Sequence, residues 1–134
     1  MNKNTKKVLA FEIKPGKEQL IKNCCASMGA DYRRMLPSDH KKTLGSLAGI
    51  TGIPAKTTAD SMGEKIEQEM LVFSGFDSEV LEAFLELYRT QGIEKIDYKA
   101  TVTMHNVFWT PEMLYQELKI WVLQELNIHG RTVN

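Results

Sequence analysis

The chain has 134 residues, 43% of them hydrophobic and 25% charged, with 17 basic against 17 acidic side chains and a formal net charge of zero. A chain of this length can bury roughly two thirds of its unfolded surface, and these ordinary globular proportions exclude fibrous, wholly disordered and disulfide-stapled classes. No apolar run approaches the ~18 residues of a membrane span, the first seven residues lack the apolar segment of a secretion signal, and the only two cysteines are adjacent, so the sequence reads as cytoplasmic and soluble.

Val8-Leu-Ala-Phe-Glu-Ile13 is a short apolar run before Pro15-Gly16 and predicts a mostly buried strand. Leu20, Ile21, Cys24, Cys25 and Met28 then recur at three- and four-residue steps, which predicts a helix with Gly29 closing it. Ala30 to Leu36 reads as a second strand, stopped by Pro37. Ser38 or Asp39 is the expected cap of a short helix carrying Leu44, Leu47 and Ala48, with Gly45 and Gly49 permitting close packing. Thr51 to about Lys65 has little periodicity and marks a mobile connection.

Glu69 to Ser74 predicts a third strand, and Asp77 or Ser78 caps a helix with Leu81, Phe84, Leu85 and Tyr88 on one face, closed by Gly92. Ile96 to about Val102 is the fourth strand. Thr110-Pro111-Glu112 supplies an N-cap, a proline at the first helical position and an acid in the first turn of a last helix, which runs to about Ile128 with Gly130 after it.

Strand, helix, strand and helix therefore occur twice in one domain, residues 1–50 forming the first half, 51–68 the connection and 69–134 the second half. Leu9-Ala-Phe11 matches Leu71-Val-Phe73, and Asp31-Tyr32-Arg33 matches Asp97-Tyr98-Lys99, which suggests an internal duplication. One such unit cannot cover both faces of its own sheet, so the expected fold is α/β, a four-stranded sheet built from two repeated units with helices packed on it. Charge divides with the halves: residues 1–65 hold 12 Lys/Arg against 6 Asp/Glu, and residues 66–134 hold 5 against 11. That asymmetry suits attraction between the halves or between subunits. It does not favour nucleic acid, because the basic half has only Phe11 and Tyr32 as aromatic platforms.

Lys99-Ala-Thr-Val-Thr-x-x-Asn106-x-x-Trp109-Thr110, leading into Leu114-Tyr115-x-Glu117-Leu118, resembles the bacterial and archaeal family called domain of unknown function 3783. Met70-Leu-Val-Phe-Ser-Gly-Phe76 is similar to the same family, and the resemblance spans roughly residues 69–120. Leu44-Gly45-x-Leu47-Ala48-Gly49 is similar to what precedes that domain. The family implies no established activity, cofactor or catalytic residue. The chain has His105 where the family pattern has a proline in the loop before the asparagine.

Thr103, His105, Asn106, Trp109 and Thr110 fall where a strand ends and a helix begins, a common ligand position in open α/β sheets. Thr110 and the first amides of the last helix are suited to an anion. Against this, Asn106 is equally suited to bonding its own loop and Trp109 to anchoring it. His105 has no partner at a spacing that makes it a general base, and His40 and His129 lack one as well, His129 reading as a cation at a helix C-terminus. No His/Cys spacing builds a zinc site, Cys24 and Cys25 read as buried hydrophobes, and neither metal nor cofactor is expected.

The last helix carries more apolar residues than one stripe requires, Leu118, Trp121 and Val122 among them. Two functional expectations follow. The first is a non-enzymatic module that dimerises or binds a protein partner through that helix and the Thr103–Trp109 loop. The second is a small anionic metabolite, or a weak enzymatic site, at the loop.

Overall fold

The computed structural model describes residues 6–56 and 63–133, with side-chain packing as far as Leu123. It is α/β: strands β1 (Lys7–Phe11), β2 (Asp31–Arg34), β3 (Met70–Ser74) and β4 (Tyr98–Thr101), and helices α1 (Pro15–Met28), α2 (Leu44–Leu47), α3 (Ser78–Thr90) and α4 (Pro111–Val133), with a 3-10 turn at Pro37–Lys41. Local chemistry explains most of these limits. Gly29 takes the left-handed conformation that ends α1, at φ 68°, and the Asp77 carboxylate accepts from the Val80 amide at the start of α3.

Strands β2 and β4 are shorter than the runs 30–36 and 96–102 read from sequence, and three other boundaries differ for local reasons. β1 stops at Phe11 instead of Ile13, because Glu12 turns left-handed at φ 56°. Asp39 accepts from the Leu36 amide within the 3-10 turn, so the cap of α2 is Thr43, whose hydroxyl accepts from the Ser46 amide. Helix α4 continues through Gly130 to Val133, since a glycine inside a helix costs only about 1 kcal/mol and does not force a stop.

The strands form one mixed sheet in the order β2-β1-β3-β4. β1 pairs parallel with β2, β3 pairs parallel with β4, and the two pairs meet where β1 runs antiparallel to β3 with Leu9 opposite Val72. The central strands are buried on both sides, as their unbroken apolar runs suggest. Val8, Ala10, Leu71 and Phe73 face α1 and α3, whereas Leu9, Phe11, Met70 and Val72 face Leu44 and the α4 residues Leu114 and Tyr115.

This register corrects the motif matches. Leu9 and Phe11 lie on the α4 face and Leu71 and Phe73 on the α1/α3 face. Tyr32 and Tyr98 are separated in the same way. A one-residue shift in a strand exchanges its faces, so the matched residues do not occupy equivalent places.

One long-range contact ties the halves together. Lys14 gives α1 no side-chain cap, and Glu69 supplies a carboxylate there instead, accepting from the Lys14 amide at 2.9 Å and the buried Lys17 ammonium at 2.7 Å. Burial opposes the Glu69 charge. The hydrogen bonds and charges of Lys14 and Lys17 outweigh it and hold the carboxyl below the usual glutamate range. A carboxyl lowered on folding contributes stability that is present above its unfolded pKa of about 4.3 and is lost as pH falls through the folded value. The wild type is therefore expected to lose thermal stability more steeply below about pH 4.5 than Glu69→Gln. Parallel melting curves in acid for both proteins would contradict this role.

Candidate interaction site

The segment between β4 and α4 is a closed hydrogen-bonded loop. Asn106, 7% exposed, uses both ends of its amide: its Oδ1 accepts from the Thr103 amide at 2.9 Å, and its Nδ2 donates to the Thr101 carbonyl at 3.0 Å. The Thr103 hydroxyl accepts from the His105 and Asn106 amides. Thr110 is buried and caps α4 by accepting from the Met113 amide, and Trp109 packs into the core on the α4 face. His105 is exposed, with its ring edge-on to Trp109 at 5.3 Å.

The loop is braced from below by α2. The Leu44 and Gly45 amides donate to the Trp109 and Val107 carbonyls, so the first amides of α2 are spent on the loop. A glycine is needed at position 45, where a Cβ would lie 2.5 Å from Val107 Cγ2 and 2.8 Å from Ile53 Cγ2. Above this contact lies an apolar groove of about 570 Å³ lined by Ile50, Ile53, Val102, Thr103, Met104, Val107 and Phe108. Of the five loop residues read from sequence, only Thr103 lines it. Asn106 and Thr110 are buried, and the groove lining is mostly apolar.

Helix α4 provides a second apolar surface. Leu114 and Tyr115 are buried against the sheet, and Leu118 is partly buried on the same cluster. A 23-residue helix spans about 34 Å and the four-residue β4 about 13 Å, so α4 outruns the sheet. Ile120, Trp121 and Leu123 are 49%, 60% and 53% exposed, and Val122 is half-buried.

Comparison with family models matches residues 69–119 to one described as a domain of unknown function, DUF3783. That segment is a DUF3783 domain. No curated protein and no solved structure matches the chain. The DUF3783 segment comprises β3, α3, β4, the braced loop and the first turns of α4. It ends at Lys119, one residue before the exposed apolar surface begins. The α2 residues that brace the DUF3783 loop come from outside the matched segment, which explains why the spacing of Asn106 and Trp109 alone does not reveal Gly45 as their support.

Cys24 and Cys25 are buried on the α1 face. Burial, helped by Cys24 and Asp31, pushes the Cys25 thiol up to about 12, which makes it a poor nucleophile at neutral pH. His40 is buried beside Phe11, and its Nε2 has no hydrogen-bond partner among the described residues. The side chain of His129 lies outside the described residues. Among the described residues no group of three His, Cys, Asp or Glu is arranged to hold a metal, and no helix is long and apolar enough to cross a membrane. A smaller cavity of about 300 Å³ at the start of α1 includes Lys17, which is paired with Glu69 and lies 3.5 Å from Glu94.

Proposed function

We propose that this protein is a small cytoplasmic α/β module that works by protein association, and that it dimerises through the part of α4 beyond the sheet. The observation that carries this reading is the exposure of Ile120, Trp121 and Leu123 within one turn of a helix that outruns the sheet. Trp is the residue type most enriched at interface centres, and Leu118 and Val122 continue the surface toward the sheet. A metabolite site at the loop is less well supported, because the Asn106 amide and the Thr110 hydroxyl already serve the loop and the helix cap. The two halves are read as copies of one unit at the level of topology, supported by a parallel pair in each and by the antiparallel contact between their first strands.

Light scattering across protein concentration tests the association. Wild type is expected to pass from monomer to dimer. Trp121→Glu should weaken dimerisation by about 2 kcal/mol or more, roughly thirtyfold, as for a central interface tryptophan. Its unfolding free energy should stay within about 0.5 kcal/mol of wild type, since Trp121 is exposed in the monomer. A wild type that remains monomeric at every concentration would overturn the proposal.

A further inference from the structure

We infer that two copies of this chain join β4 to β4, antiparallel and edge to edge, so that the α4 of each lies on the continued sheet of the other. The inference rests on the proposed self-association through α4 and names the second surface of that dimer.

The two edges of the sheet, β2 and β4, are guarded differently. An edge strand offers unpaired backbone groups to any other strand, and charged side chains are a common guard against that. Three of the four β2 residues are charged, Asp31, Arg33 and Arg34. β4 has one charged residue, Lys99, and its ammonium is turned back to donate to the Ile96 carbonyl. β4 pairs parallel with β3, and the Val102 amide donates to the Phe73 carbonyl, so Tyr98, Ala100 and Val102 bond inward while Lys99 and Thr101 turn their backbone groups outward. The Thr101 carbonyl accepts from the Asn106 amide. Among the described residues, the Lys99 amide and carbonyl and the Thr101 amide have no backbone partner.

Helix α4 selects a second copy as the occupant of this edge. Its first turn lies near the end of β1, where Glu112 pairs with Lys41, the neighbour of His40, whose ring meets Phe11. One turn later Tyr115 stacks on Tyr98 of β4 at 5.0 Å. The helix therefore crosses the sheet from β1 toward β4 and leaves it over that edge. Leu114, Leu118 and Trp121 follow at steps of four and three, on one face of α4. Along that face Leu114 is 3% exposed, Leu118 is partly buried and Trp121 is 60% exposed, as expected where a sheet runs out beneath a helix. Trp121 lies about 9 Å along the axis from Tyr115, roughly two strand spacings. A second sheet joined at β4 supplies those strands. A two-fold axis normal to the sheet keeps both α4 helices on the same face, so each Trp121 is covered in the same way.

A two-fold centred on Ala100 gives a self-complementary register. Ala100 then meets its counterpart at the close position between hydrogen-bonded pairs, Lys99 lies opposite Thr101 of the second copy, and Tyr98 lies opposite Val102. Centring on Lys99 instead would set two lysines directly opposite, which is unfavourable.

A disulfide at the proposed axis tests the pairing. In this register the two Ala100 Cα atoms are about 4.5 Å apart, within the range a disulfide spans. Mildly oxidised Ala100→Cys is expected to run as a covalent dimer on a non-reducing gel at concentrations where wild type is dimeric by light scattering. Arg33→Cys, on the β2 edge, should run as a monomer, and the native Cys24 and Cys25 are buried. If Ala100→Cys does not fold, the charge at position 101 decides. Thr101→Lys faces Lys99 twice across the axis and should weaken the dimer about tenfold, whereas Thr101→Glu should leave it as tight as wild type or tighter. If Trp121→Glu separates the wild-type dimer while Ala100→Cys forms no cross-link, or Thr101→Lys and Thr101→Glu shift it equally, the β4 pairing is overturned and the proposed function stands. Cross-linking through Arg33→Cys in place of Ala100→Cys would also overturn the pairing. A wild type that stays monomeric removes both.

Discussion

Phe73→Ala is expected to destabilise the protein by about 3–5 kcal/mol, the largest single-residue effect anticipated here. Phe73 is 1% exposed on the central strand β3 and lies opposite Val8 across the antiparallel contact that joins the halves. Its ring meets Phe76 and Phe84 edge-on, both at 5.3 Å, and those two rings lie 5.8 Å apart. Truncation removes the buried area, leaves a cavity between β3 and α3, and breaks two favourable ring contacts. A domain of this kind has about 5–15 kcal/mol of total stability, so roughly a fifth or more of it would disappear. Urea unfolding measures the loss as a lower midpoint at unchanged slope. A change below about 1 kcal/mol would mean that the three rings do not form the packed cluster described.

Asn106→Ala is expected to cost about 2–3 kcal/mol although it removes only a short amide. The substitution leaves the Thr101 carbonyl and the Thr103 amide without partners in a partly buried turn, and each orphaned group costs about 1–3 kcal/mol. His105→Ala, one position away and exposed, should stay within about 0.5 kcal/mol of wild type. Hydrogen exchange should locate the Asn106 effect at residues 101–110 and at the α2 amides that donate to the loop. Were Asn106→Ala as stable as wild type, the residue would be free for recognition and the loop would regain its standing as a ligand site.

The sequence made local structure easy to read because the signals are local. Asp77, Thr110-Pro111 and Gly29 mark helix ends through hydrogen bonds or dihedral angles that a few neighbouring residues determine. The seam of the sheet is harder, for a physical reason. Leu71, Val72 and Phe73 are all buried, and a strand buried on both faces has no polar alternation to say which residue points where. That ambiguity let Leu9 be matched with Leu71 when the register sets it against Val72. Glu69 and Lys17 are 52 residues apart, so neither reports the other by spacing. Gly45 follows the same pattern: its close approach to Val107 becomes visible only when α2 is placed under the loop. Asn106 and Trp109 were legible as loop anchors, and Trp121 as surplus apolar surface. The groove was not, because Ile50, Ile53 and Val107 fall on two segments with no shared periodicity.

The chain has two tryptophans, Trp109 packed on the core and Trp121 exposed on α4, which allows association to be read at the residue proposed to carry it. In Trp109→Phe, fluorescence reports Trp121 alone. Its emission is expected to start red-shifted in dilute solution and to move to shorter wavelength as concentration rises, following the increase in mass. Emission that stays red-shifted at every concentration would contradict self-association through α4.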